Sequence, residues 1–219
     1  MELTLKEAAA RLGVTPRQAQ RLARSGRLQI VGHRGPVALV DDTGLARAAS
    51  ARAGRLWSPV TAWAAIDSLQ SGHTGRLAGS ALSRLRHRLR AISAEELVRL
   101  CAGRASLWRG NLTRRSSDQL RAEIYPSGQS LLADPQVAAL LGLSGGPAGR
   151  TEGYVNAGEW KRTQARFGLE ADAEGVVLLR ISTESPAAGL VSTAVDLVET
   201  GTVRERSAAL ALLEGRLSQ

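Results

Sequence analysis

Two helix signals lie only two residues apart near the start of the chain, and they constrain its folding more than any other feature. Thr4 and Glu7 have the spacing of a capping box, in which each side chain satisfies an orphan backbone N–H at a helix start. Leu5, Ala8, Ala9 and Leu12 then recur at helical spacing, and Gly13 suits the left-handed end of a helix. Thr15 is an N-cap for a second helix, and Pro16 takes the first helical position, where its missing N–H costs nothing. Gly26 closes that second helix. With only Gly13 and Val14 between them, the segment predicts a helix, a tight turn and a helix, locked by Ala8, Leu12, Val14, Ala19 and Leu22.

Such a pair turns the second helix's polar side outward, and that side carries Arg17, Gln18, Gln20, Arg21 and Arg24. Arginine and glutamine pair bidentately with guanine and adenine edges in a major groove. The helix start at Thr15 offers free N–H groups and a positive dipole to a phosphate. Strand-forming residues 28–31 and 37–40 follow, flanking Gly32-His33-Arg34-Gly35-Pro36, which predicts a hairpin with a short basic tip. His33 and Arg34 on that tip, with Lys6 on the first helix and Thr15, are expected to meet DNA backbone or a flanking groove. A helical hairpin with a solvated basic face is the structural alternative.

Charge points the same way. The net charge is +9, from 27 Arg, 2 Lys and 20 acidic residues. Residues 1–55 hold 10 basic and 4 acidic side chains, and residues 56–125 hold 11 and 5. Residues 126–219 hold 8 and 11, so the first two thirds carry all the excess, as expected of a part that faces a polyanion.

Asp41 and Asp42 are expected to cap a connector helix reaching Ala53. Ser58-Pro59 opens a helix to about Gln70, and another is predicted from about Leu77 to Ile92 with Leu82, Leu85, Leu89 and Ile92 inward. Arg84, Arg86, His87, Arg88 and Arg90 fringe that stripe. The four arginines are candidates for DNA-phosphate contact, for a solvated face or for an acidic partner. Ser93 and Glu96 form another capping box, opening a helix that ends near Gly103. One or two strands are expected in 105–125, a glycine-rich loop in 142–150, a helix in 157–167, a strand in 176–181 and helices in 188–199 and 203–215.

Other chemistry has few candidates. One cysteine, Cys101, excludes a disulfide framework and reads as a core residue. Trp57, Trp63, Trp108 and Trp160 read as core or interface anchors. The three histidines are far apart, and Gly142–Gly149 lacks the Lys and Ser/Thr of a phosphate-binding loop. No catalytic residue, metal site or cofactor is predicted. No run of 18 uncharged apolar residues exists, and Met1–Glu7 lacks the apolar region of a signal peptide, so a cytoplasmic location without a membrane span is expected.

The residues Ala8-Ala9-x-x-Leu12-Gly13-Val14-Thr15-Pro16-Arg17, Arg21-Leu22-x-x-x-Gly26-x-Leu28 and Val31-Gly32-x-Arg34-Gly35 resemble the MerR-like and excisionase-type winged helix-turn-helix family. The resemblance implies a recognition helix at about 16–25 and a wing at about 32–36. The long dimerisation helix and effector site of MerR regulators have no counterpart here. Over the remainder, Leu82-x-x-Leu85-Arg86-x-Arg88-Leu89, Glu95-Glu96-Leu97, Glu152-Gly153-Tyr154-Val155 and Ala194-Val195-Asp196-Leu197-x-x-x-Gly201-x-x-Arg204-Glu205-Arg206-x-Ala208 resemble AbiEi-type antitoxins of type IV toxin–antitoxin systems. That resemblance implies a repressor of its own operon whose partner gene encodes a nucleotidyltransferase-like toxin.

The expectation is therefore a mainly helical α+β protein. Residues 1–55 form a winged helix-turn-helix that binds duplex DNA, and residues 56–219 form an α+β domain for dimerisation, extra DNA contact or partner binding. Alternatives are an excisionase-like DNA-binding protein, an interaction protein that neutralises a toxin directly, and an enzyme acting on nucleic acid.

Overall fold

A computed structural model describes residues 2–12, 14–24, 28, 30–35, 37–41, 55–146, 149–187 and 189–219, with the backbone alone at Glu2, His33, Arg34 and Asp41. The protein is α+β, with two sheets. It divides into two compact units, Met1–Arg55 and Leu56–Gln219.

In the first unit β1 (Glu2–Thr4) leads directly into α1 (Leu5–Arg11), and α2 (Pro16–Arg24) is followed by β2 (Ile30–Arg34) and β3 (Val37–Asp41). Thr4 and Glu7 form the capping box that their spacing predicts: the Thr4 N–H donates to the Glu7 carboxylate at 2.8 Å and the Glu7 N–H to Thr4 Oγ1 at 3.3 Å. The strands form an antiparallel sheet in the order β1-β3-β2. Its core is Leu3, Ala8, Leu28 and Val40, with Leu5, Leu12 and Leu22 packed around them. Ala19 is buried and Val14 half-buried.

Two expectations change here. β1 is a third strand; three residues are too few to show alternation, and pairing with β3 is what makes them a strand. The hairpin tip is shorter than residues 32–36, because β2 runs on to Arg34, paired with Val37. A register shift between Ile30 and Gly32 absorbs one residue, and Gly35, at φ +60°, supplies the left-handed turn position. Asp41 ends β3, while Gly13, Gly26 and the connector helix expected over 42–53 lie outside the described residues.

The second unit begins with three helices: α3 (Pro59–Ser71), α4 (Gly79–Leu89) and α5 (Ala94–Cys101), the last followed by a 3-10 turn at Ala102–Arg104. Next come β4 (Ser106–Leu112), α6 (Ser117–Arg121), β5 (Tyr125–Pro126), α7 (Gln129–Leu132) and α8 (Pro135–Leu140). β6 (Thr151–Asn156), α9 (Trp160–Phe167), β7 (Leu169–Ala171) and β8 (Val177–Ser182) precede the closing helices α10 (Leu190–Thr200) and α11 (Val203–Leu217). The sheet order is β5-β6-β8-β4-β7; β6 and β8 are parallel and the other pairs antiparallel.

Helices cover both faces of the two central strands. Tyr154 joins a core of α3, α5, α10 and α11 residues built around Trp63, Ile66, Leu97 and Val195. Its neighbour Val155 points the other way, into a core with Leu120, Phe167, Val177 and Leu179. Burial on both faces makes β6 and β8 continuous buried runs. The sequence predicts no strand over 151–156, because Thr151-Glu152-Gly153-Tyr154 is polar where such a buried strand is normally apolar.

Candidate nucleic-acid interface

α2 is an amphipathic rod whose buried contact is Ala19. Positions 17, 20, 21 and 24 lie one helical turn or two apart, so they share the face opposite Ala19. Arg17, Gln18, Gln20, Arg21 and Arg24 are all exposed. With Thr15 they line a shallow groove of about 450 Å³. No hydrogen bond or ion pair holds the side chains of Arg17, Gln20, Arg21 or Arg24 among the described residues.

Gln18 differs from its neighbours. The Thr15 N–H donates to Gln18 Oε1 at 3.0 Å, and the Gln18 N–H donates to Thr15 Oγ1 at 3.3 Å. This is a reciprocal cap, so Thr15 Oγ1 and Gln18 Oε1 are engaged in starting the helix. The Gln18 amide must leave the cap before it can pair bidentately with an adenine. Lys6 is exposed on α1. His33 and Arg34 occupy the end of β2, where their backbones pair with Ala38 and Val37.

The arginine row of the second unit lies on α4, with Leu85 and Leu89 buried. The helical repeat splits it into two flanks. Arg84 and Arg88 line one groove with Trp57, Thr61 and Leu77, while Arg86 and Arg90 line another beside Leu69 and Leu217. His87 is exposed between them. Arg88 is tied to Glu96, Nη2 to Oε1, at 2.5 Å. That bridge alters the cap expected at Ser93: Ser93 Oγ accepts from the Glu96 N–H, but the Glu96 carboxylate faces Arg88 and Arg99 and does not complete a capping box.

A dense cluster of charged residues lies inside the second unit and reaches the surface at Glu199. Arg104 and Arg180 are each 2% exposed, and Asp196, Glu152 and Tyr154 are 0% exposed. Arg104 donates to Asp196 Oδ1 at 2.6 Å, to Tyr154 Oη at 2.8 Å and to both oxygens of half-buried Glu199 at 2.7 and 2.6 Å. Tyr154 donates to Asp196 Oδ1 at 2.6 Å, Arg180 Nε lies 3.0 Å from the same oxygen, and Ser127 Oγ donates to Asp196 Oδ2. Asp196 thus has charged or hydroxyl partners on both oxygens, the condition under which a buried carboxylate is tolerated.

Glu152 is less well served. Its Oε2 accepts from Thr200 Oγ1 at 3.3 Å with Arg180 Nη1 3.9 Å away, and Oε1 has no hydrogen-bond partner among the described residues, with Arg150 Nε 3.6 Å from it. Burial pushes its pKa above the usual carboxylate range, and the Asp196 charge adds to that against the opposing pull of Arg180. The same burial raises the Tyr154 phenol and pushes the Cys101 thiol up to about 12. Cys101 therefore stays a neutral core residue.

Glu152, Tyr154 and Asp196 come from two of the segments that carry the antitoxin resemblance. Arg104 and Arg180 had no signal in the sequence, being two arginines among 27. Trp63 is buried, donating from Nε1 to Ser182 Oγ at 3.1 Å, and Trp108 and Trp160 pack at 5.2 Å. Among the described residues no helix is long and apolar enough to cross a membrane, and no group of three or more His, Cys, Asp or Glu could hold a metal ion. No protein-family model, curated protein or solved structure matches the chain.

Proposed function

We propose that the first unit is a winged helix-turn-helix and that the protein is a sequence-specific DNA-binding repressor. The observation that carries this is the outer face of α2, where Arg17, Gln20, Arg21 and Arg24 are exposed together without partners among the described residues. In this reading α2 enters the major groove, as the second helix of such a motif does, and Arg17 and Arg21 pair with guanine edges. Gln20 and Arg24 reach neighbouring bases or phosphates. The β2–β3 hairpin is the wing, bringing His33 and Arg34 to a flanking groove. The excess of basic over acidic groups in residues 1–55 favours approach to any duplex, and the α2 side chains select among duplexes.

The resemblance to AbiEi-type antitoxins extends the proposal: the repressed operon is the protein's own, and a nucleotidyltransferase-like toxin is encoded beside it. The second unit then serves dimerisation, further DNA contact or the toxin, and no catalysis is assigned to it. Selection from a random duplex library by the full chain tests the first step. A recurrent motif, also present upstream of the gene, is the expected outcome; uniform recovery of all sequences would refute sequence-specific repression. Co-expression with the neighbouring gene tests the second step, since an antitoxin restores growth that the neighbour alone arrests.

A further inference from the structure

Three helix ends meet in the second unit at a cleft of about 500 Å³. Arg86 and Arg90 reach it from α4 and Arg216 from the last turn of α11. Leu69, Leu89 and Leu217 also line it, making part of its wall apolar. Among the described residues none of the three arginine side chains has a hydrogen bond or ion pair, and no acidic side chain lines the cleft.

The arginines also sit where helices α3, α4 and α11 end, and a helix C-terminus carries about half a negative charge. Three such ends offset about half of three full positive charges. A chain-terminal carboxylate at Gln219 would still leave the sum positive. Offsetting helix dipoles therefore does not use up the arginines. Guanidinium forks match phosphate oxygens bidentately, so three forks suit more than one phosphate. A phosphodiester backbone has no use for the leucines. A ligand with an apolar or aromatic body joined to a short phosphate chain uses both, and the volume lies in the range of small-molecule sites, roughly 300–1,000 Å³.

We infer that the cleft between α3, α4 and α11 binds a small ligand of the nucleoside-polyphosphate kind, its phosphates on Arg86, Arg90 and Arg216 and its ring over the leucines. This is independent of the role given to α2. It also divides the α4 arginines, since Arg84 and Arg88 face a different groove.

Calorimetric titration of the full chain with adenosine diphosphate and with inorganic pyrophosphate tests the inference. Both are expected to bind saturably, adenosine diphosphate more tightly because the apolar wall adds to the phosphate contacts. The triple variant Arg86→Gln, Arg90→Gln, Arg216→Gln should weaken both by at least about tenfold, from lost charge-assisted hydrogen bonds. Arg86→Gln with Arg90→Gln, at exposed positions, should repeat most of that loss should Arg216→Gln disturb α11. Lys161→Gln with Arg204→Gln removes exposed charge elsewhere and should leave both affinities unchanged. Leu217→Gln should erase the advantage of adenosine diphosphate over pyrophosphate. Absence of saturable binding, or equal affinity for the two probes, overturns the inference. So does a triple variant that loses only duplex DNA binding, which would assign the arginines to the nucleic acid.

Discussion

Arg104 ties together several parts of the second unit through one side chain. One guanidinium bonds Asp196, Glu199, Tyr154 and the Cys101 carbonyl from a site that is 2% exposed. Arg104→Met keeps the bulk but leaves buried Asp196 without its closest cation, and should cost about 3–5 kcal/mol in urea unfolding. A loss under about 1 kcal/mol would mean that Arg180 alone suffices for Asp196. Glu152 carries a pH signature of opposite sign to an ordinary carboxylate. Its folded pKa is raised, so the folded state favours its proton. Its contribution is fully present below the unfolded value and is lost as pH rises through the folded one. Glu152→Gln has no proton to lose. Relative to that variant, wild-type stability should fall as pH climbs from about 4.5, and parallel pH profiles would contradict the assignment. Glu152, Tyr154 and Asp196 stand in the stretches that carry the antitoxin resemblance, but nothing in the sequence marks them as buried together. The arginines are hidden too, because burial of a charged side chain depends on partners far away along the chain.

Elements with a strong local signal were legible, including the apolar run of β8, whereas β6 and β7, whose strand character comes from their pairing, were not. Ser58-Pro59 starts α3, and Thr202 with Glu205 caps α11 reciprocally. By contrast β6 and β7 exist because of their neighbours: β6 lies between β5 and β8, and β7 on the edge of β4. The short helices α6, α7 and α8 span four to six residues each, too few for a periodic stripe. Two substitutions probe these two kinds of element. Thr202→Ala removes an oxygen that accepts from the Glu205 N–H and should cost about 0.5–2 kcal/mol. Gly110→Ala acts on β4, where a Cβ would meet the Glu170 carbonyl of β7 and the Trp108 ring. It should cost about 1–3 kcal/mol by forcing the β4–β7 pair apart, and thermal unfolding reads both. A neutral Gly110→Ala would show that β7 is not held where it is described.

For the whole molecule, the arginines divide into those consumed by buried acids and those left free, and free ones occur in both units. In the second unit Arg104 and Arg180 are bound to buried acids and hold the two-faced sheet to α10. In the first, the α2 arginines meet no acid among the described residues. The basic excess of the chain was legible in the sequence; which arginines were structural was not. Free arginines on one helix face can read bases or merely attract phosphates, and those two behaviours separate in a single comparison. Affinity of wild type and Arg21→Ala is measured on the selected duplex and on a scrambled duplex at the same salt concentration. Base reading by α2 predicts that Arg21→Ala loses roughly 1–3 kcal/mol on the selected duplex and much less on the scrambled one. Equal losses on both would contradict it, leaving α2 as a basic surface without sequence preference.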